Sequence, residues 1–206
     1  MKFLVSLVSI AFVATSLAAP TKLEARQLSS SRNDVKNKKC AAVTVIYARG
    51  TTEAGNVGSI AGPPFFTALD KAVGTTAVQG VDYPADVAGF LAGGSSDGAK
   101  NMAQYAQTAI TNCPDTKLVL SGYSQGAQVT RKAAAQLGTA EAKVVAIVLF
   151  GDPNNGDSWG DLQSKTKTFC ATGDLICAGQ SIILAAHLGY GSDATAAASF
   201  VKSQIG

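Results

Sequence analysis

Short runs of continuous apolar residues punctuate the chain, and longer stretches with helical spacing lie between them. Ala42–Ala48 (AVTVIYA), Lys117–Ser121 (KLVLS) and Lys143–Phe150 (KVVAIVLF) read as strands buried on both faces, because their apolar residues run on with little polar alternation. Thr166–Ala171 (TKTFCA) is a shorter, weaker strand and Ala77–Tyr83 (AVQGVDY) another. Pro64–Val73 reads as a helix, with Pro near its start and Gly74 behind it. Ser95–Asn112 opens on Ser-Ser-Asp and carries Met102, Tyr105, Ala106, Ala109 and Ile110 on one face. Gln125–Leu137 stops at Gly138, and Ala194–Ile205 closes the chain. Residues 27–39 are polar and read as loose chain or a short helix. Strands alternating with helices predict a three-layer α/β/α sandwich with a central, mainly parallel sheet, formed as one domain over residues 27–206.

The first residues fall outside that pattern. Lys2 precedes an apolar run from Phe3 to Val13, and small residues dominate Ala14–Ala19. A basic start, a short apolar core and a small-residue exit predict a secretory signal peptide over residues 1–18, cut after Ala18. The run is short for a membrane anchor. A second cut after Arg26 would make residues 19–26 a propeptide. The protein is therefore expected to be secreted, extracellular and without stable membrane insertion.

Composition narrows the classes of function. Of 206 residues 47% are hydrophobic, enough to bury a core, so general disorder is excluded. The net charge of +3 comes from 17 basic and 14 acidic residues, and only Lys36, Lys38 and Lys39 cluster, which argues against nucleic acid as a partner. Removal of residues 1–26 takes three basic residues and one acidic one, and weakens that case further. With one histidine and four cysteines, a mixed-ligand metal site is hard to assemble, and neither metal nor cofactor is expected. In an oxidising compartment four cysteines point to two disulfides, with three possible pairings. Cys170 and Cys177 flank a Thr172-Gly173-Asp174 turn and suit a small closed loop, which leaves Cys40 and Cys113. A monomer is the default expectation.

The strand Lys117–Ser121 runs directly into Gly122-Tyr123-Ser124-Gln125-Gly126 and then a helix. That is G-x-S-x-G in the strand–turn–helix setting where it acts as a nucleophile elbow. Glycines permit the sharp turn, and the helix N-terminus with the Gln125 N–H faces a developing oxyanion. A serine nucleophile needs a base, and His187 supplies the one imidazole in the chain. The acid that orients it should lie between the two. Glu141, Asp157 and Asp161 sit in connections. Asp152 follows a strand end and competes, but Asp174, inside the Cys170–Cys177 segment, is preferred because a closed loop would fix it. A second oxyanion donor is expected from the loop Ala48-Arg49-Gly50-Thr51-Thr52-Glu53, with Thr51 the candidate.

ARGTTEAGNVG (48–58), GYSQG (122–126), TFCATGDLIC (168–177) and AAHLGYG (185–191) together resemble the secreted fungal cutinases, small serine esterases of the α/β-hydrolase superfamily. The resemblance extends over most of the chain from Cys40 onward. It implies a lidless carboxylic ester hydrolase with Ser124, His187 and Asp174 as catalytic residues, Thr51 and Gln125 as oxyanion hole, and disulfides Cys40–Cys113 and Cys170–Cys177. It implies insoluble polyesters such as cutin, or small esters, as substrates. The chain departs from the pattern at Thr51, often Ser in the family, at Ala186, where some members have Pro, and in DYPAD (82–86). Thr at that oxyanion position also occurs in acetylxylan esterases, which keeps an acetyl-specific or short-chain esterase as the alternative. A non-catalytic surface-binding protein would be expected to have lost a triad residue. Val87–Leu91 and Ile182–Leu184 suit either an apolar rim around Ser124 or core packing.

Overall fold

The structure is a computed structural model and describes residues 29–206; the signal peptide and propeptide expected from the sequence lie outside the described residues. Strands β1 (Val43–Ala48), β2 (Ala77–Gly80), β3 (Lys117–Tyr123), β4 (Val144–Phe150) and β5 (Thr166–Phe169) form one sheet in the order β2-β1-β3-β4-β5, every pair parallel. Helices α1 (Gly62–Val73), α2 (Val87–Leu91), α3 (Ser96–Asn112), α4 (Gln125–Ala134) and α5 (Ala194–Ile205) connect or follow the strands.

Both sheet faces are buried, which is why the strands read as continuous apolar runs. Along β1, Val43, Val45 and Tyr47 pack with Phe65, Phe66 and Leu69 of α1 and with Ala197 and Val201 of α5. Ile46 and Ala48 face the other way, into a cluster with Met102 and Ala106 of α3 and Ala127 and Val129 of α4. The period of two thus sends alternate residues to two apolar layers. Full burial of one such side chain contributes about 2 kcal/mol.

The strand order reverses between β1 and β3, which leave the sheet in different directions and open a crevice at their C-terminal ends. The loop after β1 carries Thr51, and the turn after β3 carries Ser124. The register Ala48↔Gly122 sets these two exits side by side.

Several boundaries differ from the sequence expectation. β2 ends at Gly80 instead of Tyr83. The carbonyls beyond it are taken by side chains: Asn101 donates to Asp82 O, and Arg49 to Tyr83 O and Pro84 O. α4 ends at Ala134 instead of Leu137, where Gln136 N–H turns back to Ala133 O. Residues 29–39 form turns, tied to the sheet edge by Asp34, which accepts from Val78 N–H at 2.9 Å. Val87–Leu91 is a short helix capped by the Asp86 side chain, and Val87 and Leu91 are 57% and 68% exposed, so core packing is ruled out for them. Cys40–Cys113 and Cys170–Cys177 are both bridged, in the pairing expected from the sequence.

Candidate active site

Ser124 stands between β3 and α4 with φ 57° and ψ −120°, a left-handed backbone that a side-chain-bearing residue rarely adopts. Two glycines make this possible. A Cβ on Gly122 would lie 2.1 Å from the Gly126 carbonyl oxygen, and a Cβ on Gly126 2.0 Å from that of Ala48. Strand and helix therefore approach more closely than any larger residue permits. The Ser124 N–H donates to Phe150 O at 2.9 Å, which ties the turn to β4. Such a turn costs on the order of 1–3 kcal/mol and holds only where its surroundings enforce it.

His187 lies on a short 3-10 turn, Ala185–Leu188, and is almost fully buried. Its Nε2 is 3.0 Å from Ser124 Oγ, and its Nδ1 is 2.8 Å from Asp174 Oδ2. The Tyr123 hydroxyl donates to the His187 carbonyl at 2.8 Å and so fastens the turn to the end of β3. Asp174 sits in the loop closed by Cys170–Cys177. Its Oδ1 accepts from Ile176 N–H at 2.9 Å, and its Oδ2 also accepts from the Tyr190 hydroxyl at 2.5 Å. Burial pushes the Asp174 carboxyl up, but the hydrogen bonds from His187 and Tyr190 outweigh it and hold the group below the ordinary carboxylate range.

Asp152, the competing acid, is turned away from this cluster. It is fully buried, pairs with Arg131 at 2.6 Å and accepts from Asn154 N–H at 3.0 Å. Arg131 in turn lies over the Trp159 ring. The structure thus brings Ser124, His187 and Asp174 into one hydrogen-bonded row and spends Asp152 on the neighbouring loop.

The Thr51 loop is held by residues that the sequence reading passed over. Glu53 accepts from Gly50 N–H at 2.8 Å, and from Ser59 and Ile60 N–H at 2.9 Å each. Arg49 Nε donates to the Glu53 carbonyl at 2.7 Å. The Gly50-x-x-Glu53 spacing, a carboxylate that can reach back three residues to an N–H, was the available signal. Thr51 is tied to α4 because Gln125 Nε2 donates to Thr51 Oγ1 at 2.9 Å and to Asp86 O at 2.7 Å. Since Thr51 Oγ accepts from Gln125, its own proton is free to point elsewhere. Among the described residues the backbone N–H groups of Thr51 and Gln125 have no hydrogen-bond acceptor. Tyr190 was also passed over: no local pattern marks a tyrosine as the partner of an acid 16 residues away.

Apolar side chains stand exposed on the flanking segments: Val87 and Leu91 on α2, and Ile182, Ile183, Leu184 and Leu188 on the approach to and exit from His187. The two segments are joined to the candidate site through Asp86 O, which takes Gln125 Nε2, and Leu184 O, which takes His187 N–H. A groove of about 200 Å³ is lined by Phe90, Leu91, Gln128, Asn154 and Gly179–Ser181.

The chain matches the family model described as Cutinase over residues 39–205. It is 50% identical over 183 residues to a cutinase of Botryotinia fuckeliana, an alignment covering 87% of this chain and 91% of that one. Among solved structures it is similar to a Trichoderma reesei cutinase in complex with a C11Y4 phosphonate inhibitor, at a TM-score of 0.79 and 45% identity, covering 87% of this chain and 81% of the other. It is also similar to an acetylxylan esterase, at a TM-score of 0.65 and 26% identity, covering 82% of this chain and all of the other.

Proposed function

The chain belongs to the cutinase family of carboxylic ester hydrolases, and from that premise we propose that it cleaves aliphatic esters, cutin among them, by a Ser124–His187–Asp174 acyl-enzyme mechanism. The observation that carries this reading is the unbroken row from Ser124 Oγ through His187 to Asp174, with contacts of 3.0 and 2.8 Å. Ser124 Oγ attacks the ester carbonyl while its proton passes to His187 Nε2. Asp174 keeps the imidazole in the required tautomer and stabilises the imidazolium that forms. The negative oxygen of the tetrahedral intermediate is held by the Gln125 and Thr51 N–H groups, with the Thr51 hydroxyl as a third donor. Each such donor contributes roughly 3 kcal/mol to the rate. Collapse of the intermediate releases the alcohol, which takes its proton from His187. Water, deprotonated by the same imidazole, then frees the acid.

The exposed apolar side chains of residues 87–91 and 182–188 support an aliphatic substrate met at a surface, since water is displaced from both sides on contact. The bridged cysteines and the leader read from residues 1–18 support action outside the cell.

The test compares initial rates on p-nitrophenyl acetate, butyrate and palmitate with the release of hydroxy fatty acids from cutin. Butyrate turnover together with cutin release is expected. Acetate turnover alone, without release from polyester, would assign the chain to acetyl esters instead. In Ser124→Ala all of these rates should fall by about 10⁴-fold or more. An esterase rate that survived this substitution would overturn the mechanism.

A further inference from the structure

We infer that Tyr190 is a positioning residue of the esterase site, its hydroxyl sharing one oxygen of Asp174 with His187 and so limiting how strongly that carboxylate holds the imidazole proton. The inference rests on the reading of Ser124, His187 and Asp174 given above, and adds a member to the row.

Three donors converge on the Asp174 carboxylate. Ile176 N–H takes Oδ1 at 2.9 Å, while His187 Nδ1 and the Tyr190 hydroxyl both take Oδ2, at 2.8 and 2.5 Å. The phenol oxygen itself accepts from Ala171 N–H at 3.0 Å. A hydroxyl that is already an acceptor is a stronger donor, so the Ala171 amide, at the foot of the Cys170–Cys177 loop, strengthens the grip of Tyr190 on the acid. Burial, with the Asp174 carboxylate beside it, pushes the phenol well above the ordinary tyrosine range, so it remains a donor at every working pH.

The ring is as constrained as the hydroxyl. Tyr190 is fully buried, edge-on to His187 at 6.0 Å and packed on Phe150 and Tyr123. Gly151 provides the space for both rings: a Cβ there would lie 2.7 Å from Tyr190 and 2.8 Å from His187. The groups that face His187 are Asp174 at Nδ1, Ser124 at Nε2, and the rings of Tyr123 and Tyr190. Asp193 and Glu53 act on Tyr190 and Tyr123 only through space.

Two donors on one carboxylate oxygen compete for the same electron density. With the phenol proton present, the oxygen offers less to Nδ1–H, and the imidazolium is less stabilised. Without it, Oδ2 is left to His187 alone, the protonated base is favoured, and a higher pH is needed to free it.

Tyr190→Phe tests this by removing one oxygen and keeping the ring. Because the chain has a single histidine, an NMR titration of the imidazole reports on His187 without assignment. In the variant, that titration midpoint and the acid limb of the kcat/KM–pH profile should both move up, by about half a pH unit or more. Site-specific 3-fluorotyrosine at position 190 keeps ring and hydroxyl, strengthens the donor and should move both down. A folded Tyr190→Phe enzyme that loses kcat or stability with midpoint and limb unmoved would make Tyr190 a strut and overturn the inference. If Tyr190→Phe does not fold, an unmoved midpoint in the fluorotyrosine protein overturns it equally. The imidazole titration is read without turnover, so a shift there alongside an active Ser124→Ala would leave the Tyr190 coupling standing and defeat the catalytic reading alone.

Discussion

Ser124 stands where a buried strand turns into a helix, whereas Asp174 and His187 stand on residues 170–190, where the chain makes turns and short 3-10 segments and much of it is exposed. The first half is fixed by exclusion: backbone presses on backbone at Gly122 and Gly126, and no side chain larger than hydrogen fits. The second half is fixed by attachment. A disulfide closes Cys170–Cys177, Tyr190 grips Asp174 and Ala171, and Tyr123 holds the His187 carbonyl. A regular scaffold sets a position by leaving no room, and an irregular loop sets one by tying each functional atom to a separate anchor. The first is rigid and intolerant of change. The second distributes the same task over contacts that can be lost one at a time.

The sharpest way to break this comparison is to place one methyl group in each half. Gly126→Ala would put a Cβ 2.0 Å from the Ala48 carbonyl, a backbone atom of a central strand that cannot yield. A loss of about 4 kcal/mol or more, or failure to fold, is expected, measured as the shift of the urea midpoint. A wild-type midpoint would mean that strand and helix are not wedged together.

Cutting one anchor in the other half should be milder. Opening the Cys170–Cys177 loop by the double substitution Cys170→Ala, Cys177→Ala costs roughly 2.5 kcal/mol by loop-closure entropy, given the separation of 7 residues. Activity should fall as well, by roughly 10²-fold in kcat, because a displacement of about 1 Å of Asp174 misplaces His187. A variant with lowered stability and unchanged kcat would show that Tyr190 and Ile176 hold Asp174 without the bridge.

The same division explains what could be read from the sequence. The buried strands of the sheet were legible because burial on both faces leaves uninterrupted apolar runs, and the Ser124 turn because its steric demand leaves glycines at fixed spacing in GYSQG. The imidazole beside Ser124 was legible by arithmetic, there being one histidine. The loop half offered less. Preference for Asp174 over Asp152 needed a guess about the Cys170–Cys177 loop, and the fate of Asp152 depends on Arg131 reaching it from α4, which no local pattern announces. Tyr190 was not legible as an anchor, and Glu53 only in its reach to Gly50, because their other partners are brought to them by tertiary folding or by loop geometry. The short helix α2 was ambiguous for a different reason: VAGFL is apolar enough for a core, and only its place at the rim leaves it exposed.

Charge separates the halves further. Asp174 is an ionised group held below its ordinary range by its neighbours, and the Ser124 turn contains no counterpart. A carboxyl depressed in the folded state adds stability above its unfolded value, and that contribution is lost as pH falls through the folded value. Asp174→Asn should therefore lower Tm at neutral pH and flatten its fall below about pH 4 relative to the unsubstituted protein. Equal slopes for the two proteins would show that the acid is not held by its neighbours as drawn.

The smallest effect belongs to the methyl group placed in the loop. Gly173 precedes Asp174 and has φ 85°, but nothing lies within 4 Å of where its Cβ would stand. Gly173→Ala thus meets no neighbour, and its cost is the left-handed backbone alone, about 1 kcal/mol. That is a fraction of the cost expected at Gly126, although Gly126 has no left-handed backbone to disturb and Gly173 has. Esterase kcat should stay within about twofold, because the Asp174 side chain keeps its bonds to Ile176, His187 and Tyr190. If Gly173→Ala instead matched Gly126→Ala in urea, the loop would be as tightly determined as the turn, and position in the acid half would have to depend on backbone conformation more than on its anchors.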